Sequence, residues 1–229
     1  MKTITLSAIV PVFNEAATVA EIIRRLKKTH LVKEIIIVDD GSTDKTPSLL
    51  KQFQSQKNII IFTHPQNRGK GMAIRTGVKA ASGDYTIIQD ADLEYDPEDF
   101  PKLLKPIKQG KAQVVYGSRF TGEHRNIFFW HWVANQLLTL TTNILYNTTL
   151  SDMETCYKVF PTKLLKNLHL RCRGFEFEPE VTAKVLKRGI RIYEVPVSYA
   201  GREYQEGKKI SWVDGLIALL TLVRYKFSD

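Results

Sequence analysis

Along the first 117 residues, short apolar runs rich in Ile and Val alternate with segments whose apolar residues recur at helical spacing. Strands are predicted at Thr5–Val12, Glu34–Val38, Asn58–Phe62, Tyr85–Gln89 and Ala112–Tyr116. Helices are predicted between them at Glu15–Lys28, Asp44–Gln56, Gly71–Ala81 and Pro97–Gln109. Val19, Ile22, Ile23 and Leu26 fall on one face of the first helix, and Pro47 lies near the first turn of the second, where a missing N–H costs nothing. Ile35–Val38 is β-branched at every position, as a strand covered on both faces requires. Repeating β-α units with short links predict right-handed crossovers and a mostly parallel sheet.

After residue 118 the rhythm changes. Arg125–Tyr146 reads as one or two helices opening on Phe128, Phe129 and Trp130. Glu178–Lys187 reads as a helix closed at Gly189, Ile190–Tyr199 as a strand, and Ser211–Phe227 as a final helix with capping-box spacing between Ser211 and Asp214. On that last helix Trp212, Leu216, Leu219, Val223 and Phe227 share a face. Helical apolar spacing ordinarily marks core. Two Trp and two Phe within residues 128–132 equally suit a membrane interface, where amphipathic rings settle at headgroup depth. Residues 127–150 carry no Lys, Arg, Asp or Glu, yet His131, Asn135, Gln136, Asn143, Asn147 and five threonines are too polar for a span of roughly 20 lipid-facing residues. Met1–Val12 has a faint signal-peptide look, but Pro11, Asn14 and Glu15 end its apolar run early and favour a first strand.

Charge divides the chain more sharply than hydropathy does. Residues 1–100 balance thirteen Lys and Arg against thirteen Asp and Glu, so the whole +9 surplus lies after residue 100, with all three tryptophans. A neutral, acid-bearing first half and a basic, Trp-bearing second half suggest two ligands, the second anionic. No groove-reading motif accompanies the basic residues, so nucleic acid is not expected. Two cysteines cannot build a disulfide framework or a four-thiolate metal site, which suits a reducing cytosol. A P-loop and a G-x-S-x-G elbow are both absent.

The chemistry is signalled at the strand ends. Val38 runs into Asp39-Asp40, and Ile87-Ile88-Gln89 into Asp90-Ala91-Asp92 with Glu94 close behind. Ligands of open α/β sheets bind beyond the carboxyl ends of the strands. A single D-x-D more often caps a helix or shapes a turn. Acids ending two separate strands instead point to a hard divalent cation, Mg²⁺ or Mn²⁺, completed by substrate phosphate.

Val10-Pro11-Val12-Phe13-Asn14-Glu15, Val38-Asp39-Asp40-Gly41-Ser42-Thr43-Asp44, Asn67-Arg68-Gly69-Lys70-Gly71 and Asp90-Ala91-Asp92-Leu93-Glu94 resemble the ordered motifs of family-2 glycosyltransferases with the GT-A fold. Tyr116–Phe120, Asp152–Lys158, Phe175–Glu180 and Tyr199–Lys209 narrow the resemblance to the dolichol-phosphate mannose synthase-like, polyprenyl-phosphate branch, over essentially the whole chain. The resemblance implies one α/β catalytic domain over residues 1–229, with a nucleotide-sugar half (1–117) and an acceptor half (118–229). It places Pro11, Glu15, Asp39, Asp40 and Lys70 around a nucleotide sugar of GDP-mannose or UDP-glucose type. Asp90, Asp92 and Glu94 would hold the metal, although many relatives carry Gln where Glu94 stands. Asp90 and Asp92 would also meet the nucleotide sugar, Asp92, Arg119 and Arg202 would act in catalysis, and Arg119, Arg125, Lys208 and Lys209 would meet the acceptor phosphate. With the chain ending at Asp229, membrane association is expected from the domain surface, at the cytoplasmic face.

The implied reaction moves a hexose to a polyprenyl phosphate with inversion. A phosphate monoester, with a second pKa of about 6, needs no general base. None of the five histidines has a nameable partner in the sequence. Transfer to a sugar hydroxyl is the alternative; it would need a base, for which Glu176, Glu178 and Glu180 are candidates, although acids at those positions also suit a helix N-terminus. A catalytically silent lipid- or nucleotide-binding module is the remote third.

Overall fold

The computed structural model describes residues 4–201 and 212–228. Seven strands form one sheet in the order β3-β2-β1-β4-β6-β5-β7. β1 (Leu6–Val12), β2 (Val32–Asp39), β3 (Ile59–Thr63) and β4 (Tyr85–Ile88) run parallel, with Ile9 opposite both Ile36 and Ile88. Consecutive positions of β1 and β2 are buried, so both faces of the sheet are covered there. These are the strands the apolar runs predict, displaced by one or two residues.

The helices follow the same logic. α1 (Val19–Lys28) buries Val19, Ile22, Ile23 and Leu26, while Glu21 pairs with Arg24 and Arg25 on its outer side. α2 (Thr46–Leu50) is shorter than predicted and runs into a 3₁₀ turn over 51–53. α3 (Lys70–Ala80) lies so close to β1 that a Cβ on Gly77 would stand 2.5 Å from Ile9 Cγ2. α4 (Phe100–Lys108) packs on β5 (Val114–Ser118).

The sequence reading missed one strand. β6 (Lys158–Pro161) is inserted antiparallel between β4 and β5, with Val159 opposite both Ile87 and Val115. Its direction brings the segment leading into it, residues 152–157, to the end of the sheet where β4 and β5 terminate. α6 (Thr162–Asn167) follows, also unpredicted. α5 (Phe129–Tyr146) is a single helix, and α7 (Phe177–Lys187), β7 (Ile192–Pro196) and α8 (Trp212–Phe227) complete the chain. Ser211, the proposed cap of the last helix, lies outside the described residues.

Candidate active site

Two adjacent aspartates at the end of β2 have different tasks. Asp40 is committed to the protein itself. Its Oδ2 accepts from the Gly69 and Arg68 amides at 2.7 and 3.0 Å, and its Oδ1 lies 2.6 Å from His64 Nδ1. His64 Nε2 meets Thr76 Oγ1 at 2.9 Å, so this histidine has the partners that sequence could not name. Asp40 thereby anchors the Asn67-Arg68-Gly69 loop. The loop needs its glycine: Gly69 has φ +94°, and a Cβ there would meet Arg173 O at 2.3 Å. Asp39 differs. Its Oδ1 accepts from Ser42 N at 3.0 Å, while its buried Oδ2 has no hydrogen-bond partner. A buried orphan acceptor costs roughly 1–3 kcal/mol unless something satisfies it.

Pro11 pairs opposite Val38 near the end of β1, and Glu15 lies just beyond, its Oε2 accepting from Thr18 Oγ1 at 2.9 Å at the start of α1. Both stand at the same edge as Asp39.

The acid loop follows β4. Lys70 Nζ lies 3.0 Å from Asp90 Oδ1 and 3.1 Å from Glu178 Oε1, tying α3, the acid loop and α7 together. Burial opposes the charge on Lys70, but the two carboxylates outweigh it and hold the pKa well above the lysine norm. Leu93 takes φ +66°, a conformation L side chains adopt at a cost, and this turn lets Asp92 Oδ1 accept from Glu94 N at 3.1 Å. Glu94 Oε2 accepts from the Tyr199 hydroxyl at 2.9 Å. Among the described residues, no three acid, imidazole or thiol groups make a ready-made metal cage. The donor set of Asp90, Asp92 and Glu94 is nevertheless all-oxygen and partly open, which fits a hard divalent ion completed by phosphate oxygens.

Arg119, directly after β5, forms a forked pair with Asp152: Nε to Oδ2 at 2.8 Å and Nη2 to Oδ1 at 2.7 Å. Nη2 also donates to Asn135 Oδ1 on α5 at 3.0 Å, and the guanidinium lies 5.3 Å from the Tyr199 ring centroid. Burial opposes its charge, Asp152 secures it, and the pKa stands well above the arginine norm. Among the described residues, the Nη1 donors have no hydrogen-bond partner. Arg125 is exposed, its amide donating to Tyr199 O at 3.0 Å. Arg202, Lys208 and Lys209 lie outside the described residues.

Glu176, just before α7, and Glu178 and Glu180 within it are all engaged. Glu176 accepts from the Arg173 and Gly174 amides, Glu178 from Lys70, and Glu180 from the Arg171 and Cys172 amides and Lys184. Sequence reasoning gave no role to Asp152, Glu154 or Lys158, although all three lie in one quoted motif. Lys158 is fully buried, with Nζ donating to Met153 O at 2.8 Å and to Thr155 O. Burial lowers its pKa to about 8. Glu154 Oε1 is buried and unpartnered.

Beside Arg119, α5 and α8 turn apolar side chains outward. Trp130 is 77% exposed, Trp212 81% and Phe227 80%, with Phe129, Leu140, Ile144 and Leu220 also exposed. The face of α8 carrying Trp212, Leu216, Val223 and Phe227 is therefore surface; Ala218, Leu222 and Tyr225 are its buried residues. Among the described residues, no helix is long and apolar enough to cross a membrane.

Comparison with known proteins adds to this geometry. The sequence model described as Glycosyl transferase family 2 matches residues 7–168. Low-salt glycan biosynthesis hexosyltransferase Agl6 of Haloferax volcanii is 31% identical over 223 residues, covering 92% of this chain and 51% of its own, so the chain spans about half of that relative. UDP-N-acetylglucosamine–dolichyl-phosphate N-acetylglucosaminyltransferase of Methanococcus voltae is 28% identical, covering 95% of this chain and 94% of its own. Glucosyl-3-phosphoglycerate synthase of Mycobacterium tuberculosis, solved with Mn²⁺, UDP and glucosyl-3-phosphoglycerate, shares the fold at a TM-score of 0.75 and 20% identity, covering 99% of this chain and 81% of its own.

Proposed function

The chain belongs to glycosyl transferase family 2, and from that membership we propose that it transfers a hexose, with inversion, from a nucleoside diphosphate sugar to a polyprenyl phosphate at a membrane surface. One observation carries the reading. Arg119 offers Nη1 donors that have no partner among the described residues at the same sheet edge as the acid loop, and Asn135 of the outward-facing apolar helix α5 holds it there. An anionic headgroup on a lipid chain matches that juxtaposition of guanidinium and apolar surface. The dolichyl-phosphate named for the Methanococcus voltae relative supports the same acceptor class.

Each side chain then has a task. Asp39 Oδ2 accepts an N–H from the donor base, which relieves its buried, unpartnered state. Lys70, held by Asp90 and Glu178, faces the diphosphate with its charge secured. Asp92, with Asp90 and Glu94, would hold Mg²⁺ or Mn²⁺, which when bound offsets charge developing on the leaving diphosphate. Asp152 fixes the Arg119 guanidinium so that Nη1 orients the acceptor phosphate, already anionic at neutral pH. Residues 118–228 serve as the acceptor side, and the exposed aromatics of α5 and α8 seat the protein peripherally on the bilayer.

Incubation with radiolabelled UDP-glucose or GDP-mannose, Mn²⁺ and a polyprenyl phosphate tests the proposal. Label is expected in the organic-extractable lipid; label found only in water-soluble glycan would assign a hydroxyl acceptor instead.

A further inference from the structure

Residues 152–156 bridge the two sides of the site. At one end, Asp152 holds Arg119 through both carboxylate oxygens. At the other, Cys156 N donates to the Tyr95 hydroxyl at 3.1 Å, Cys156 Sγ donates to Ile88 O, and Tyr157 donates to Gln89 Oε1 at 2.7 Å. Ile88, Gln89 and Tyr95 flank the acid loop on both sides. Glu154 is the central residue of this bridge, two residues from each end, so a chain rising at most about 3.5 Å per residue keeps it near both. The group being transferred has to lie in that same interval, between a diphosphate at the acid loop and an acceptor at Arg119.

Glu154 is also the acid with no cation hydrogen-bonded to it among the described residues, although Lys158 and Arg119 act on it through space. Lys70 serves Asp90 and Glu178, Arg119 serves Asp152, and Lys158 donates to the Met153 and Thr155 carbonyls. Among the described residues, these three cations make their hydrogen bonds elsewhere, and the buried Oε1 of Glu154 receives none. Burial, reinforced by Glu178 and opposed by Lys158 and Arg119, raises its pKa to about 7. A buried polar atom in this condition is tolerated where a ligand completes it.

Resting on the transferase reading, we infer that Glu154 hydrogen-bonds hydroxyl groups of the donor hexose and is the residue that recognises the transferred sugar. A sugar ring presents several hydroxyl donors, which an acceptor-rich carboxylate takes up.

Binding separates this role from any other. Calorimetric titrations with Mn²⁺ would compare UDP with UDP-glucose, and GDP with GDP-mannose, on the wild-type protein, Glu154→Gln and Glu154→Ala. The nucleoside diphosphate should bind all three proteins alike, while the sugar nucleotide should lose about tenfold in affinity on Glu154→Ala. In thermal unfolding without ligand, both variants should match or exceed the wild-type midpoint, because the orphan carboxylate is gone; this also shows that they fold. An unchanged ratio of sugar-nucleotide to nucleotide affinity would overturn the inference. So would a loss confined to turnover, which would make Glu154 an acceptor-side base. If the wild-type protein bound none of the four nucleotides, the transferase reading itself would fall and take this inference with it.

Discussion

The residues before 118 and those after it solve opposite problems at one sheet edge. On the first side, side chains and backbone hold one another: Asp40 ties down the 67–69 loop, Leu93 turns the acid loop, and Gly69 admits the approach of Arg173. On the second side, Arg119 is fixed by side chains, Asp152 and Asn135, while the neighbouring helices leave Trp130, Trp212 and Phe227 in water. The difference shows where rigidity is needed. On the proposed reading, a diphosphate calls for charges that do not move, whereas a lipid headgroup calls for an apolar surface and a single oriented cation.

Replacing Asp40 should produce the largest effect. Asp40→Ala strands two amides and His64, and is expected to destabilise the fold by about 3–5 kcal/mol in denaturant titration. A loss under 1 kcal/mol would show that the donor side is not held by its backbone. Asp92→Ala should leave the unfolding midpoint near wild type yet lower sugar transfer about 100-fold, and chelation with EDTA should do the same to the wild-type protein. Retention of full transfer by Asp92→Ala would remove the metal from the acid loop.

On the acceptor side the ranking reverses, with function affected more than fold. Trp130→Ala combined with Trp212→Ala should shift stability by no more than about 0.5 kcal/mol, because both rings are already solvated. Sedimentation with anionic phospholipid vesicles should nevertheless fall about tenfold. Equal sedimentation of the variant would break the assignment of the outward face. The smallest expected effect is a slope. The Glu154 carboxyl titrates at about 7 when folded and near 4.5 when unfolded, so the unfolded chain binds fewer protons between those values. Stability of the ligand-free protein should therefore decline as pH rises from about 4.5 to about 7, and Glu154→Gln should flatten that decline.

How far the sequence reveals this design depends on the range of the interactions. β1 to β5 are legible because buried parallel strands need consecutive apolar residues, and the carboxylates that end β2 and β4 stand out against them. The task of Asp40 is hidden because its partners are 24 to 29 residues away. β6 is hidden because four residues ending in Pro161 give too short a pattern. Apolar spacing on α8 identifies a face without saying what covers it; Leu222 and Trp212 look alike in sequence, yet one is buried and the other is in solvent. Glu154 shows no sign of its isolation until the positions of every cation near it are known.

The antiparallel strand between β4 and β5 has a bearing on biosynthesis. The ribosome releases both neighbours of that strand well before Lys158–Pro161 emerges. Until then β4 carries an open edge and β5 has no strand beside it, the kind of surface that nascent polypeptides leave to chaperones.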